Sequence, residues 1–332
     1  MTSATTPLLE VRDLRVTLRT PRGPAAAVRE LSFTLERGQT LGLVGESGCG
    51  KSISVMALMG LLPEGAQVSG SIRLDGQELV GASEATLCSL RGRRMAMIFQ
   101  EPMTALNPVH TIGQQVAEPM RLHLGIGVRE ARERTLQLLD RVGIADAAQR
   151  LDAYPHQFSG GQRQRITIAM ALACNPDLLI ADEPTTALDV TIQRQILDLM
   201  GELVAERGMA LILISHDLGV IARNVQRMMV MYGGAVVEQG STASVFGAHA
   251  HPYTRGLFGA RPRLGAPRGT RLLTIPGSVP ELADLPAGCT FAGRCAHTVP
   301  ACHTQVPQWV TFDAAHQVRC DRLDAVRHGA TR

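Results

Sequence analysis

Gly45-Glu46-Ser47-Gly48-Cys49-Gly50-Lys51-Ser52 is the stretch on which the reading of this chain turns. It satisfies G-x-x-x-x-G-K-[ST], the pattern of a loop whose backbone N–H groups cradle phosphate oxygens. Its setting fits that pattern. Thr40 to Val44 is a short apolar run that reads as a strand, and Ser52 to Leu62 is a helix-length apolar segment stopped by Pro63. Strand, loop and helix in this order aim amide dipoles and a helix N-terminus at one anion. Lys51 is placed to reach the β- and γ-phosphates of a nucleotide, and Ser52 to bind Mg²⁺. Lys51 is also the sole lysine among 33 Lys+Arg residues. Arginine is a broad planar fork and lysine a slender point charge, and a loop wrapped round a polyphosphate has room for the second. Gly45, Ser47, Gly48, Cys49 and Gly50 make up the rest of the cradle. The Cys49 thiol, beside Lys51 and a helix N-terminus, is expected to have a lowered pKa and to react with thiol reagents.

The flanking sequence supplies an α/β frame for the loop. Leu8 to Leu18 and Ala27 to Leu35 alternate and are rich in β-formers, with a turn at Thr20-Pro21-Arg22-Gly23-Pro24, as in an antiparallel sheet. Arg94 to Phe99 reads as a buried strand. Leu178 to Ala181 and Ala210 to Ile214 are unbroken apolar runs, the mark of parallel strands covered on both faces. Met228 to Met231 and Ala235 to Glu238 flank a Gly-Gly turn and predict a hairpin. Between about residues 101 and 175 helical patterns dominate, for instance Val128 to Val142. After about His249 proline and glycine become frequent and cysteines gather. The expectation is a nucleotide-binding domain over residues 1–250 and a C-terminal extension over 251–332. The fold class is a parallel-sheet P-loop NTPase core with an antiparallel β-subdomain, an α-helical subdomain and a Cys-rich tail.

Two further stretches carry chemistry. Leu178-Leu179-Ile180-Ala181-Asp182-Glu183 is an apolar strand that delivers two carboxylates at its C-terminal edge, where ligands bind in open α/β sheets. Asp182 suits Mg²⁺ and Glu183 suits the role of general base for an attacking water. Phe158-Ser159-Gly160-Gly161-Gln162 runs straight into a helix. Ser159 is a natural N-cap, and the two glycines let a phosphate approach the backbone.

Composition narrows the field. A net charge of +3 and 3% aromatics argue against nucleic acid as a partner. No run of about 18 apolar residues is present to span a membrane, and residues 1–9 lack a signal pattern, so a cytosolic protein is expected. Four of the seven cysteines, Cys289, Cys295, Cys302 and Cys320, crowd into the tail. In a reducing compartment such a set suggests a metal before disulfides. Four thiolates suit either an iron–sulfur cluster or structural zinc, and the absence of tight C-x-x-C pairs disfavours a zinc ribbon.

Taken in order, the phosphate loop, Ser159-Gly160-Gly161-Gln162, Asp182-Glu183-Pro184-Thr185, Ala187-Leu188-Asp189 and Ser215-His216-Asp217 resemble the ATP-binding subunits of ABC transporters over about residues 8 to 250. The resemblance implies a head-to-tail dimer of ATPases. ATP lies between the phosphate loop of one subunit and the Ser159–Gly161 region of the other. Gln100 is implied to sense Mg²⁺ and the attacking water, His216 to contact the γ-phosphate, and Asp189 to bridge the subunits. Gln100-Glu101-Pro102-Met103-Thr104-Ala105-Leu106-Asn107-Pro108, Tyr154-Pro155-His156-Gln157, His251-Pro252-Tyr253-Thr254, Ile275-Pro276-Gly277 and Leu285-Pro286-Ala287-Gly288-Cys289 are similar to the oligopeptide/dipeptide importer branch. That branch implies peptide uptake, although relatives carry nickel chelates, haem or sugars. It also implies two membrane permeases, an extracytoplasmic binding protein, a paralogous second ATPase, a place on the cytoplasmic face of the membrane, and a four-iron–four-sulfur cluster on the tail cysteines. One departure stands out: where the family stacks adenine on an aromatic ring, this chain has Leu18. A rival reading is a soluble ABC ATPase of DNA repair or translation. Those usually carry paired cassettes or a long coiled-coil insertion, and neither is found here.

Overall fold

The computed structural model describes residues 6–100, 105–186, 188–260, 274–313 and 316–328. Within them run strands β1 (Leu9–Thr20), β2 (Gly23–Leu35), β3 (Thr40–Val44), β4 (Gln67–Leu74), β5 (Gln77–Glu78), β6 (Met95–Ile98), β7 (Leu178–Asp182), β8 (Ala210–Ile214), β9 (Arg227–Tyr232), β10 (Ala235–Ser241), β11 (Trp309–Asp313) and β12 (His316–Arg319). The chain divides into two compact units, one of Met1–Leu9, Thr34–Thr40 and Arg73–Ile214, the other of Glu10–Phe33, Leu41–Ile72 and Ser215–Arg332.

In the first unit β6, β7 and β8 run parallel, with Met95 opposite Leu178 and Leu178 opposite Ala210. Every residue of β7 and β8 is buried. Their unbroken apolar runs therefore mean what they predicted: strands with no water face. The helices Ile112–Leu124, Val128–Arg141 and Val190–Arg207 each turn an apolar stripe inward, as at Ile112, Val116 and Met120 of the first, while Gly160–Ala171 is buried on several sides, Gln164 and Thr167 included. Thr111 starts that helix through a capping box, its hydroxyl accepting from the Gln114 N–H while the Gln114 side chain accepts from the Thr111 N–H.

In the second unit β3 lies parallel to β9, Leu41 opposite Arg227. The β9–β10 hairpin turns at Gly233-Gly234, both with positive φ. β1 and β2 form the expected hairpin, with Thr20 Oγ1 donating to the Gly23 carbonyl (2.7 Å). The helix after the phosphate loop is Lys51–Met59. It stops at Gly60 rather than at Pro63, because Gly60 takes the left-handed conformation (φ 63°) and its N–H returns to the Ala57 carbonyl.

The tail is better built than its composition suggests. β12 pairs antiparallel with β10, Glu238 opposite Val318, and β11 pairs with β12. Residues on either side of position 250 thus share a sheet. Beneath that pairing Glu238 is fully buried. It accepts from the N–H groups of Ala250 (2.8 Å) and His251 (2.9 Å) and from His316 Nε2 (2.7 Å). Burial alone pushes this carboxyl up, yet the donors around it together hold it below its ordinary range. The His251 ring is buried as well. Its Nδ1 accepts from the Tyr253 N–H, capping the helix Pro252–Gly259, and desolvation lowers its pKa to about 4.

Candidate nucleotide site

The phosphate loop hangs between β3 and the helix Lys51–Met59. Its glycines are required by geometry. Gly50 has φ 98°, and a Cβ there would stand 2.5 Å from the Ala27 carbonyl oxygen. Gly45 has φ 153°, and a Cβ there would collide with the Met231 carbonyl. Lys51 is 6% exposed. Its ammonium donates to the carbonyls of Gly45 (2.8 Å) and Glu46 (3.0 Å), inside the curl of the loop. The site holds a slender, buried cation at two carbonyls. An open cleft of about 800 Å³ runs past Ser47 and Gly48, between residues 20–22 and residues 279–283. Leu18, at the adenine-stacking position of the resemblance, lies half-buried in β1.

Cys49 corrects its expectation. It is fully buried, and desolvation raises its thiol pKa above the ordinary value although Lys51, 3.8 Å away, pulls the other way. Removing water from a would-be thiolate outweighs one nearby cation that is already bonded to two carbonyls. His216, in the same unit, follows the buried Ser215, whose N–H donates to the Leu43 carbonyl (3.3 Å), and its side chain is exposed.

The carboxylate pair lies in the first unit. Asp182 ends β7 and is 5% exposed. Glu183 sits at φ 46°, a left-handed conformation rare outside glycine. It is held there by its N–H donating to the Ile214 carbonyl (3.1 Å) and by the Thr186 N–H donating to its own carbonyl (3.2 Å). Its carboxylate accepts from Gln100 Nε2 (3.3 Å) and Thr186 Oγ1 (3.0 Å). The structure therefore brings Gln100 and Glu183 together across 83 residues of sequence. Strain at a single acidic residue, held by several bonds, marks a site where orientation matters. Thr186 was not singled out in the sequence, although a hydroxyl three residues after the carboxylate was available as a signal.

Ser159 caps the helix Gly160–Ala171 in a capping box with Gln162, as its residue type predicts. Gly160 and Gly161 lie close under Leu188 and Ile192, where a Cβ on Gly161 would come within 2.7 Å of Ile192. Asp189 caps the helix Val190–Arg207, its carboxylate accepting from Thr191 and Ile192. Glu101 to Thr104 and Ala187, which belong to the sequence motifs, lie outside the described residues.

The tail cysteines converge on one place. Cys289, Cys295, Cys302 and Cys320 all line a cavity of about 20 Å³, together with His251 and His297. The Cys289 N–H donates to the Cys302 carbonyl (2.8 Å). Desolvation raises Cys289 and Cys320 to about 11, and Cys295 above its ordinary value. Yet among the described residues no three His, Cys, Asp or Glu side chains close on a single point as the ligands of one ion do. Among the described residues the geometry therefore builds neither a single-ion site nor a cluster site.

Comparison with known proteins agrees with this arrangement. A family profile described as ABC transporter matches residues 28–186, and one described as oligopeptide/dipeptide transporter, C-terminal region, matches residues 237–302. A putative peptide import ATP-binding protein of Brucella ovis is 50% identical over 96% of this chain and 98% of its own length. The oligopeptide transport ATP-binding protein OppD of Salmonella typhimurium is 50% identical over 90% of this chain and 89% of its own. Among solved structures, the dimeric ATP-binding cassette MJ0796 in a post-hydrolysis state bound to ADP and Pi matches with a TM-score of 0.64. It is 25% identical and covers 70% of this chain and 98% of that one. Identity at this level over nearly the whole length, on a cassette fold with a built phosphate loop, places the chain in the ABC transporter family as an ATP-hydrolysing subunit of the oligopeptide/dipeptide branch.

Proposed function

We propose that this chain powers the import of di- and oligopeptides by hydrolysing ATP as a peripheral subunit on the cytoplasmic face of the membrane. Two permease subunits would form the path, an extracytoplasmic binding protein would deliver the cargo, and a paralogous ATPase would complete a heterodimer. The observation that carries the ATP chemistry is the buried ammonium of Lys51, held by two carbonyls of the phosphate loop. Peptide as cargo is supported by the relatives' names and by the matched C-terminal region. Among the described residues no helix is long and apolar enough to cross a membrane.

In this reading residues 1–250 are the cassette and 251–332 the branch-specific extension. Lys51 and the loop amides grip the β- and γ-phosphates, and Ser52, Gln100 and Asp182 are the side chains suited to Mg²⁺. Glu183 takes the proton of the attacking water, oriented by Gln100 and Thr186, and His216 contacts the γ-phosphate. Ser159, Gly160, Gly161 and Gln162 offer a second helix N-terminus to the nucleotide of the opposing subunit, and Asp189 faces that subunit. Leu18 offers the base an aliphatic contact in place of a ring. Losing one stack costs about 1–3 kcal/mol of affinity, so discrimination between nucleotide bases is expected to be loose.

Cys289, Cys295, Cys302 and Cys320 are assigned to a four-iron–four-sulfur cluster. What supports this is that all four thiols line one small cavity, so they are the side chains that would hold such a group. When bound, the cluster would crosslink the tail and take up the four thiolate charges. Iron and sulfide assayed on the purified complex should both be present and should fall together in Cys302→Ser.

The decisive experiment uses the transporter assembled in proteoliposomes. Glu183→Gln should abolish both ATP turnover and peptide uptake while ATP binding persists. Full turnover by that variant would remove Glu183 from its role. Uptake of nickel chelate, haem or sugar, with none of peptide, would replace the cargo.

A further inference from the structure

The best-built contact of the tail is with the phosphate loop itself, and none of the roles above uses it. Glu46 is the second residue of the loop. Its N–H donates to Tyr253 Oη (2.8 Å), and its carboxylate accepts from both terminal nitrogens of Arg294, at 2.7 and 3.2 Å. The Arg294 side chain is 6% exposed. Its other donors are also engaged: Nε donates to the Pro276 carbonyl (2.8 Å), and Nη2 reaches the carbonyls of Ile275 (3.3 Å) and Gly277 (3.2 Å). The guanidinium lies over the Tyr232 ring, 5.7 Å from its centroid, and Tyr232 packs edge-on against Tyr253 and Phe291. One arginine, next in sequence to Cys295, therefore ties the Ile275-Pro276-Gly277 turn to the phosphate loop. This accounts for two stretches that the sequence marked without assigning a task, residues 251–254 and 275–277.

The charge logic is direct. A carboxylate on a loop built for a polyphosphate repels its ligand unless a cation neutralises it. The Glu46 carbonyl is moreover one of the two that hold the Lys51 ammonium, so the placement of Glu46 fixes where Lys51 points. A bidentate guanidinium sets both position and charge, which a lysine in its place does not.

We propose that Arg294 and Tyr253 are positioning residues for ATP binding: they fix and neutralise Glu46, so that the loop presents its amides and Lys51 to the phosphates. The proposal rests on the loop being the ATP site, and Lys51→Ala serves as the control for that. In the full-length protein within its assembled complex, ATP affinity is measured by calorimetry, and KM and kcat by phosphate release. Arg294→Gln is expected to weaken ATP binding about tenfold, with the loss falling on KM rather than kcat, and Arg294→Lys to recover little of it. Adding Glu46→Gln to Arg294→Gln should restore most of the affinity, since the exposed negative charge is gone. A purely structural role for Arg294 would show no such relief. Wild-type affinity in Arg294→Gln, or a double variant no better than the single, overturns the proposal. If Lys51→Ala binds ATP normally, the reading of the loop fails instead. Should Arg294→Gln be too unstable to purify, Tyr253→Phe removes only the oxygen that receives the Glu46 N–H. It should raise the ATP dissociation constant about threefold, and an unchanged constant overturns the proposal equally.

Discussion

Single atoms decide the behaviour of the phosphate loop. Gly50→Ala would force a Cβ to within 2.5 Å of the Ala27 carbonyl at φ 98°. That strain, of order 1–3 kcal/mol before the clash is counted, falls on the residue that opens the helix. The expected result is loss of measurable ATP binding together with a lower unfolding midpoint, read by calorimetry and urea titration. Cys49 belongs to the same scale. Its thiol is buried and its pKa raised, so a maleimide at pH 7 should leave it unmodified while labelling the exposed Cys88, as peptide mass spectrometry would show. Sequence proximity to Lys51 suggested the reverse. Proximity along a chain does not report desolvation, and here desolvation is the larger effect.

At the level of elements, most of the frame was legible. β7 and β8 were readable because burial on both faces leaves no polar residue to blur an apolar run. The start of the helix Gly160–Ala171 was readable because Ser159 and Gln162 satisfy each other's backbone groups locally. The same chemistry at Thr111 gives a clean test: Thr111→Ala removes the hydroxyl half of a capping box and should lower stability by about 1 kcal/mol in urea unfolding. β11 and β12 were not readable. β12 spans four residues, too few for a period of two to stand out, and its place is set by pairing with β10 far earlier in the chain. The apolar run after the loop reaches Leu62, but the helix ends at Met59 because the C-capping Gly60 acts before Pro63 is reached.

Across the whole molecule, acid should loosen the tail. The buried His251 has a pKa of about 4 against an ordinary 6.5, so below pH 6.5 the unfolded chain takes up a proton that the folded chain refuses. Stability is complete above pH 6.5, falls as pH drops, and levels off near pH 4. Between pH 7.5 and pH 5 the loss from this group is about 2 kcal/mol. Glu238, held below its ordinary range, acts in the same direction lower down: its contribution is present above the unfolded carboxyl pKa and is lost as pH falls through the folded one. His251→Asn keeps an acceptor for the Tyr253 N–H and removes the titration. Urea unfolding at the two pH values should show a flatter dependence in that variant.

The sequence alone determined which chemistry this protein does. A phosphate loop, its capped helices and its strand-borne carboxylates are local designs, written in contiguous residues whose backbone groups satisfy one another within a few positions. Tertiary structure alone decided what those parts are held by. Glu46 meets Arg294 across 248 residues and Gln100 meets Glu183 across 83, and the Cys49 thiol is emptied of water by its surroundings. Such pairings and burials arise from distant segments packing together, and no spacing along the chain encodes them.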